Sequence, residues 1–410
     1  MPSKEATGQR ASMSIRTLSR MPDELANEQR AALAQTMLTT GLDLRADAIT
    51  LTKVVCDIPS ESGNESRLVD AIEAALDGYD HLQVLRHGNT VVARTMLGRA
   101  RRIVIAGHLD TVPINNNLPT HFATLDEEAA AADVPGTRVG EYLVGRGTVD
   151  MKAGVAVALK LAAELEAPIH DVTWIFYDNE EVEAEKNGLG KLAAVRPDLV
   201  EADFAILGEP TRAKIEGGCN GSIRCDVRTR GVRAHSGRSW TGVNAIHKVA
   251  EVLDRLNAYE PQTVRVEGLD YREGLNATLI SGGVAPNVIP DECTVHVNYR
   301  FAPDKTLEEA EALMRDVFDG FDLEVRDRSA AARPGFDADI ARDFVAAVGG
   351  EAYPKYGWTD VARFSELGIP AVNYGPGDPQ KAHADDERVL LEDITAVEQG
   401  LHSWLMGERA

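Results

Sequence analysis

"IVIAGHLDTVP", residues 103–113, is where the fold becomes readable. Four apolar residues end on Gly107, and His108, Leu109 and Asp110 follow. The run has the composition of a buried strand stopped by a glycine. An imidazole and a carboxylate, two residues apart, then stand where the strand leaves the core. Three other runs share this character: 172–177 (VTWIFY), 204–207 (FAIL) and 369–374 (IPAVNY). They alternate with helical patterns such as 153–166 (AGVAVALKLAAELE). Strands interleaved with helices predict an α/β fold with a mostly parallel sheet.

Open α/β sheets bind ligands beyond the carboxyl ends of their strands. His108 and Asp110 follow the first run, and Asp150 precedes "MKAG" and a helix. Glu180 and Glu181 follow VTWIFYDN, Glu209 follows FAILG, and His383 follows "AVNYGPGDPQKA". Any one of these has an ordinary reading as a polar loop residue. Together they predict a shared metal site. Two metal ions need a bridging carboxylate and terminal N/O ligands. Imidazole and carboxylate without thiolate suit Zn²⁺, with Co²⁺ or Mn²⁺ as substitutes. A carboxylate that binds no metal serves as general base, and adjacent Glu180 and Glu181 offer one base and one ligand. Asp110 is placed to take the second ring N–H of His108 and fix its tautomer, or else to cap a turn.

The stretch 221–332 changes pattern. A strand over "SIRCDVRTRG" is followed by a helix at 243–258 and strands at 276–282 and 291–300. A helix near 305–318 and a strand near 321–326 complete a βαββαβ order, the split ferredoxin-like arrangement. The expected domains are a mobile N-terminal extension (1–40), a catalytic domain (41–220 plus 333–410) and an inserted domain (221–332). Within the extension, residues 1–22 read as a polar tail, with Met13 as an alternative start, and 23–38 as a short amphipathic helix. Residues 115–140 read as an exposed irregular excursion in which His121 is solvated.

At 410 residues the chain exceeds one ordinary core. A net charge of −22 argues against nucleic acid and anionic membrane as partners, so an anionic substrate requires local arginines. Cys56, Cys219, Cys225 and Cys293 form no C-x-x-C pair and suit a reduced, cytoplasmic protein. No apolar stretch is long enough to span a membrane, and no secretory signal is evident. The GLG at 188–190 is no dinucleotide fingerprint, and Ser236 lacks a G-x-S-x-G setting.

The motifs "GHLDTVP", "GRGTVDMKAG", "DNEE", "GEPT", "GVRAHSG", "NVIP" and "KAHADDE" occur here in order, over about residues 45–405. In this the chain resembles the M20 family of dinuclear zinc aminoacylases and carboxypeptidases. The resemblance implies a zinc-hydrolase catalytic domain with an inserted lid and dimerisation domain, hence a homodimer. It implies two Zn²⁺ per subunit. His108 and Glu209 would bind one ion, Glu181 and His383 the other, and Asp150 would bridge them through a cis peptide to Met151. Glu180 would be the general base. His235 would reach a partner's active site and stabilise the tetrahedral oxyanion.

Within the family, "GLDYREGLNAT", "NYRFAP" and "KYGWTDVARFSELGIPAVNYGPGDP" resemble the desuccinylases. That implies cleavage of N-succinyl-L,L-2,6-diaminopimelate to succinate and L,L-diaminopimelate. Arg300, Asn287, Thr359 and Gly375 would contact substrate, with Arg300 binding a carboxylate in bidentate fashion. One departure stands out. Cys219 and Asn220 occupy places where other desuccinylases carry arginines, which moves carboxylate recognition towards Arg224, Arg233 or Arg238. The competing readings are acetylornithine deacetylation, a related dipeptidase, a two-metal phosphatase, and a binding protein without catalysis.

Overall fold

The computed structural model describes residues 23–408. The expected tail, residues 1–22 with Met13, lies outside them. At the centre is an eight-stranded sheet, and its four middle strands position the chemistry. They run, in spatial order, Asp171–Tyr177, Arg102–His108, Phe204–Leu207 and Ala371–Asn373. All three pairings among them are parallel. Antiparallel pairings occur only towards the edges, where Thr90–Arg94 on one side and Ile215–Gly217 with Ala352–Pro354 on the other run against the middle strands.

Both faces of these strands are covered, which is why they read as continuous apolar runs. Ile103, Ile105, Val172, Trp174, Phe204 and Ile206 point into one core with the helices Ala48–Asp57, Lys152–Glu164 and Leu391–Met406. Val104, Ala106, Ile175, Tyr177, Ala205 and Leu207 point the other way, against Gly188–Val195 and Val361–Glu366. The period of two along each strand therefore separates two cores rather than a core from solvent.

The Lys152–Glu164 helix approaches the sheet very closely. A Cβ built on Gly154 would lie 2.2 Å from the carbonyl oxygen of Gly208. Gly154 thus lets the helix seat against the residue that precedes Glu209. Gly154→Ala should cost about 1–3 kcal/mol of stability by overpacking, read as a lower denaturant midpoint with unchanged slope.

Residues 221–329 form a four-stranded antiparallel sheet in the order Gly274–Gly282, Glu292–Phe301, Gly221–Arg230, Asp322–Ser329. The helices Ala245–Ala258 and Leu307–Val317 pack on one face, burying Val249, Val252, Ala310 and Met314 against Ile223, Cys225, Val295 and Val297. The element order is the βαββαβ expected, with a hairpin, Thr263–Val266 and Leu269–Arg272, inserted before the second strand.

Two expectations are corrected. The helix expected at 23–38 is present as Asp23–Thr40, but it is packed rather than part of a mobile extension, with Ala34 and Met37 buried in the main core. The excursion at 115–140 is also more ordered than expected. His121–Leu125 pairs with Gly140–Val144, which pairs with Arg388–Leu390 just beyond His383. His121 itself is exposed, as expected.

Candidate metal centre

His108 is the last residue of its strand, so the sheet itself fixes its backbone. Its Nδ1 lies 3.0 Å from the carbonyl oxygen of Asp110 and 3.5 Å from the Asp110 carboxylate. The tautomer is therefore set chiefly by a main-chain acceptor of Asp110. The Asp110 carboxylate acts elsewhere as well. It accepts hydrogen bonds from the backbone N–H of Glu180 (2.9 Å) and of Glu181 (3.1 Å), and from Ser62 Oγ (2.7 Å). One buried carboxylate thus holds the two-glutamate turn beneath the imidazole. Asn179, with φ 57°, starts that turn in the left-handed region, a conformation uncommon outside glycine.

Asp150 precedes the Lys152–Glu164 helix, and its peptide bond to Met151 is cis. One carboxylate oxygen lies 3.0 Å from His108 Nε2, and the other lies 3.3 Å from His383 Nε2. Asp150 therefore sits between the two imidazoles. His383 Nε2 is also 3.0 Å from Glu181 Oε1, and His383 too adopts a left-handed φ of 64°. Glu209 joins His108 and Asp150, and Glu180 joins His108 and Glu181, in groups whose donor atoms all lie within 4.8 Å.

The charges are poorly balanced without a cation. Burial and the nearby charge of Asp150 push Glu209 up to about 8. Burial lifts Glu180 well above the usual carboxylate range, and Asp360, Glu209 and Glu181 add to the shift against the opposing effect of His108. Burial works against ionised Asp150, but hydrogen bonds from His108 and His383 hold it low. His383 is raised to about 10 by its bonds to Asp150 and Glu181. Four carboxylates and two imidazoles converging with no thiolate form a donor set fitted to hard or borderline dications. Bound cations would supply the positive charge that these buried carboxylates lack.

Two clefts open from this cluster. One, of about 740 Å³, is lined by Asp150, Glu209, Lys355, Trp358 and Thr359. The other, of about 880 Å³, runs between the sheet of residues 221–329 and the Glu180–Glu181 turn. Arg300 and Arg224 line the second cleft. Arg233 pairs with Asp291 at 2.9 Å and lines neither, and Arg238 also lies outside both. Thr359 lines the first cleft but donates its hydroxyl to Asn373 Oδ1 at 2.9 Å. Gly375, expected to contact substrate, lines neither cleft. A Cβ there would lie 2.2 Å from the Gly208 carbonyl, so its missing side chain serves packing behind Glu209. His235 and Asn287 stand apart from the cluster. The strand residues Ala234–His235 pair with Val288–Ile289, His235 is exposed, and its Nδ1 accepts from the Gly237 N–H.

Sequence reading passed over Glu387, which closes the "KAHADDE" motif. Its carboxylate accepts from the N–H of Val149 (2.9 Å) and Asp150 (3.1 Å) and pairs with Arg146 at 2.8 Å. It thereby locks the backbone of Asp150 to the His383 loop. Lys355 was also missed; it is buried beside Glu209 and pairs with Glu216 at 2.8 Å. Buried charged residues at such spacings were the available signal.

Asp110→Ala removes the acceptor for the Glu180 and Glu181 N–H groups and for Ser62, while the main-chain acceptor of the His108 imidazole stays. Metal affinity should fall about 10- to 100-fold, the usual effect of losing an outer-shell partner, as titration calorimetry with zinc would report.

Residues 104–406 match the family model described as peptidase family M20/M25/M40. The chain is 50% identical over 369 residues to a Mycobacterium tuberculosis (strain H37Rv) protein named "Putative succinyl-diaminopimelate desuccinylase DapE", covering 89% of this chain and 100% of that one. It is 44% identical over 380 residues to the succinyl-diaminopimelate desuccinylase of Corynebacterium glutamicum, covering 90% and 98%. A solved Bacillus subtilis structure, described as a dinuclear metal binding peptidase from the M20 family, superposes with a TM-score of 0.63 at 17% identity. That match covers 88% of this chain and 98% of the other.

Proposed function

The chain belongs to peptidase family M20/M25/M40, and we propose that it hydrolyses the succinyl amide of N-succinyl-L,L-2,6-diaminopimelate, releasing succinate and L,L-diaminopimelate. The observation that carries the reading is one juxtaposition. The cluster of His108, Asp150, Glu181, Glu209 and His383 adjoins a free carboxylate, Glu180, at the mouth of an arginine-lined cleft.

His108 and Glu209 would hold one ion and Glu181 and His383 the other, with Asp150 between them; the donor set favours zinc, with cobalt as a substitute. Such ions supply Lewis acidity to an amide carbonyl and acidify water. Glu180 supplies the proton traffic. Its carboxylate adjoins the donor cluster and lines the arginine-bearing cleft, placed to take a proton from water and return it to the leaving amine. Arg300 holds a substrate carboxylate on the Glu180 side, against the protein's negative field. Thr359 shapes the opposite wall, and Asn287 borders His235 on the lid.

We further propose a homodimer through the lid domain (221–332), with His235 of the partner subunit completing the oxyanion site. The edge strand Gly274–Gly282 supports this, because it exposes Leu279 (67%) and Ile280 (58%) beside exposed Ile246 and Leu253 of the neighbouring helix. An unpaired apolar edge of this kind pairs readily with a second copy. Leu279→Asp combined with Ile280→Asp should give monomers by sedimentation velocity and a parallel loss of turnover.

The four cysteines are free and buried, as suits a reducing cytoplasm, and no helix among the described residues is long and apolar enough to cross a membrane. The proposed substrate is a small acylated amino acid, with no nucleic acid as partner.

The test is kcat/KM of zinc-loaded protein on N-succinyl-L,L-diaminopimelate and on N-acetyl-L-ornithine. Preference for the succinyl compound supports the reading. Turnover of the acetyl compound alone keeps the metal centre and overturns the substrate.

A further inference from the structure

The cleft beside Glu180 carries five arginines: Arg224, Arg300, Arg326, Arg328 and Arg363. Three of them are already neutralised within the protein. Arg326 pairs with Asp226 at 2.6 Å, Arg328 with Glu311 at 3.3 Å, and Arg363 with Asp360. The other two are not. Arg300 has no carboxylate within 4.0 Å among the described residues; its Nε donates to Asn298 Oδ1 at 3.1 Å. Arg224 approaches only Asp327, at 3.7 Å, and stays 63% exposed.

The sheet puts these groups side by side. Arg224 lies opposite Asn298 on one neighbouring strand and opposite Asp327 on the other, while Arg300 lies opposite Ser222. Arg224 and Arg300 are therefore diagonal neighbours on one face, roughly 7–8 Å apart at the backbone. Like charges so placed repel, and burial together with Arg224 weakens the proton hold of Arg300. The arrangement suits a ligand with two negative groups.

Resting on the proposed reaction, the leaving amine faces Glu180, so the leaving half of the substrate occupies this cleft. That half carries two α-amino acid heads separated by three methylene groups. We propose that Arg224 and Asp327 bind the distal head as a zwitterion, while Arg300 takes the carboxylate beside the scissile amide. Arg224 receives the distal carboxylate and Asp327 the distal ammonium. The loose 3.7 Å Arg224–Asp327 contact leaves both groups open to a ligand of that charge pattern. This assigns selectivity for the far end of the amino acid to two residues of the inserted sheet.

The experiment compares kcat/KM for N-succinyl-L,L-diaminopimelate, for N-succinyl-L-lysine, which lacks the distal carboxylate, and for N-succinyl-L-2-aminopimelate, which lacks the distal ammonium. The wild type should favour the first over each analogue by about 10- to 100-fold, as expected for one charged hydrogen-bonding pair. Arg224→Ala should bring the ratio to the lysine analogue towards one, mainly through KM, with Arg224→Lys restoring part of it. Asp327→Ala should bring the ratio to the aminopimelate analogue towards one. A wild type that does not discriminate, or variants that lower all three substrates equally, would overturn the assignment. Absence of any turnover of the diaminopimelate substrate by wild type is a separate result and overturns the proposed function itself.

Discussion

Glu180→Gln should reduce kcat by about 10²- to 10⁴-fold while the protein still binds two zinc ions per chain. The substitution keeps the shape of the side chain and removes its capacity to hold a proton. Glu180 has the geometry of a ligand as well as of a base, since it shares one donor group with His108 and Glu181. Its place on the wall of the arginine-lined cleft, where the leaving amine would lie, favours the base role. Metal content and turnover, measured on the same preparation, separate the two roles. Loss of turnover with both ions retained assigns the base. Loss of one ion makes Glu180 a ligand and moves the proton traffic elsewhere.

The second large effect belongs to Asp150. Its two oxygens approach the two imidazoles, and its backbone is locked by Glu387. Asp150→Ala should lower metal affinity by more than the roughly 100-fold seen on losing a partner of a ligand, because in the proposed centre it is itself a ligand to both ions. Zinc per chain, measured by elemental analysis after dialysis at limiting zinc, should fall below two, and hydrolysis should fall with it. A variant that retained two ions would remove Asp150 from the bridge.

How much of this was written in the sequence differs by element. The parallel strands were legible because both their faces are buried, leaving unbroken runs such as VTWIFY. The candidate donors His108, Glu181 and Glu209 were legible because they stand at or just past the ends of such runs, where ligand sites form, whereas Asp150 and His383 lie in longer loops. The inserted sheet was legible from its alternation, which reflects one face covered by two helices and one face left polar. The helix at 23–40 was legible, but its docking into the core was not, because part of the contact is made by small residues such as Ala26 and Ala34. The packing role of Gly375 was not legible because a glycine that permits close packing looks, in sequence, like one that admits a ligand. Glu387 went unweighed because the donors to its carboxylate are backbone N–H groups, which leave no mark on composition. The uneven neutralisation of the five cleft arginines appears only when strand register brings them together with their partners.

The most direct test of the dinuclear centre is a crystal structure of the zinc-loaded protein with anomalous data collected at the zinc edge. Two peaks are expected, one between His108 and Glu209 and one between Glu181 and His383, with the Asp150 carboxylate shared. A single peak, or peaks away from these five residues, would contradict that placement.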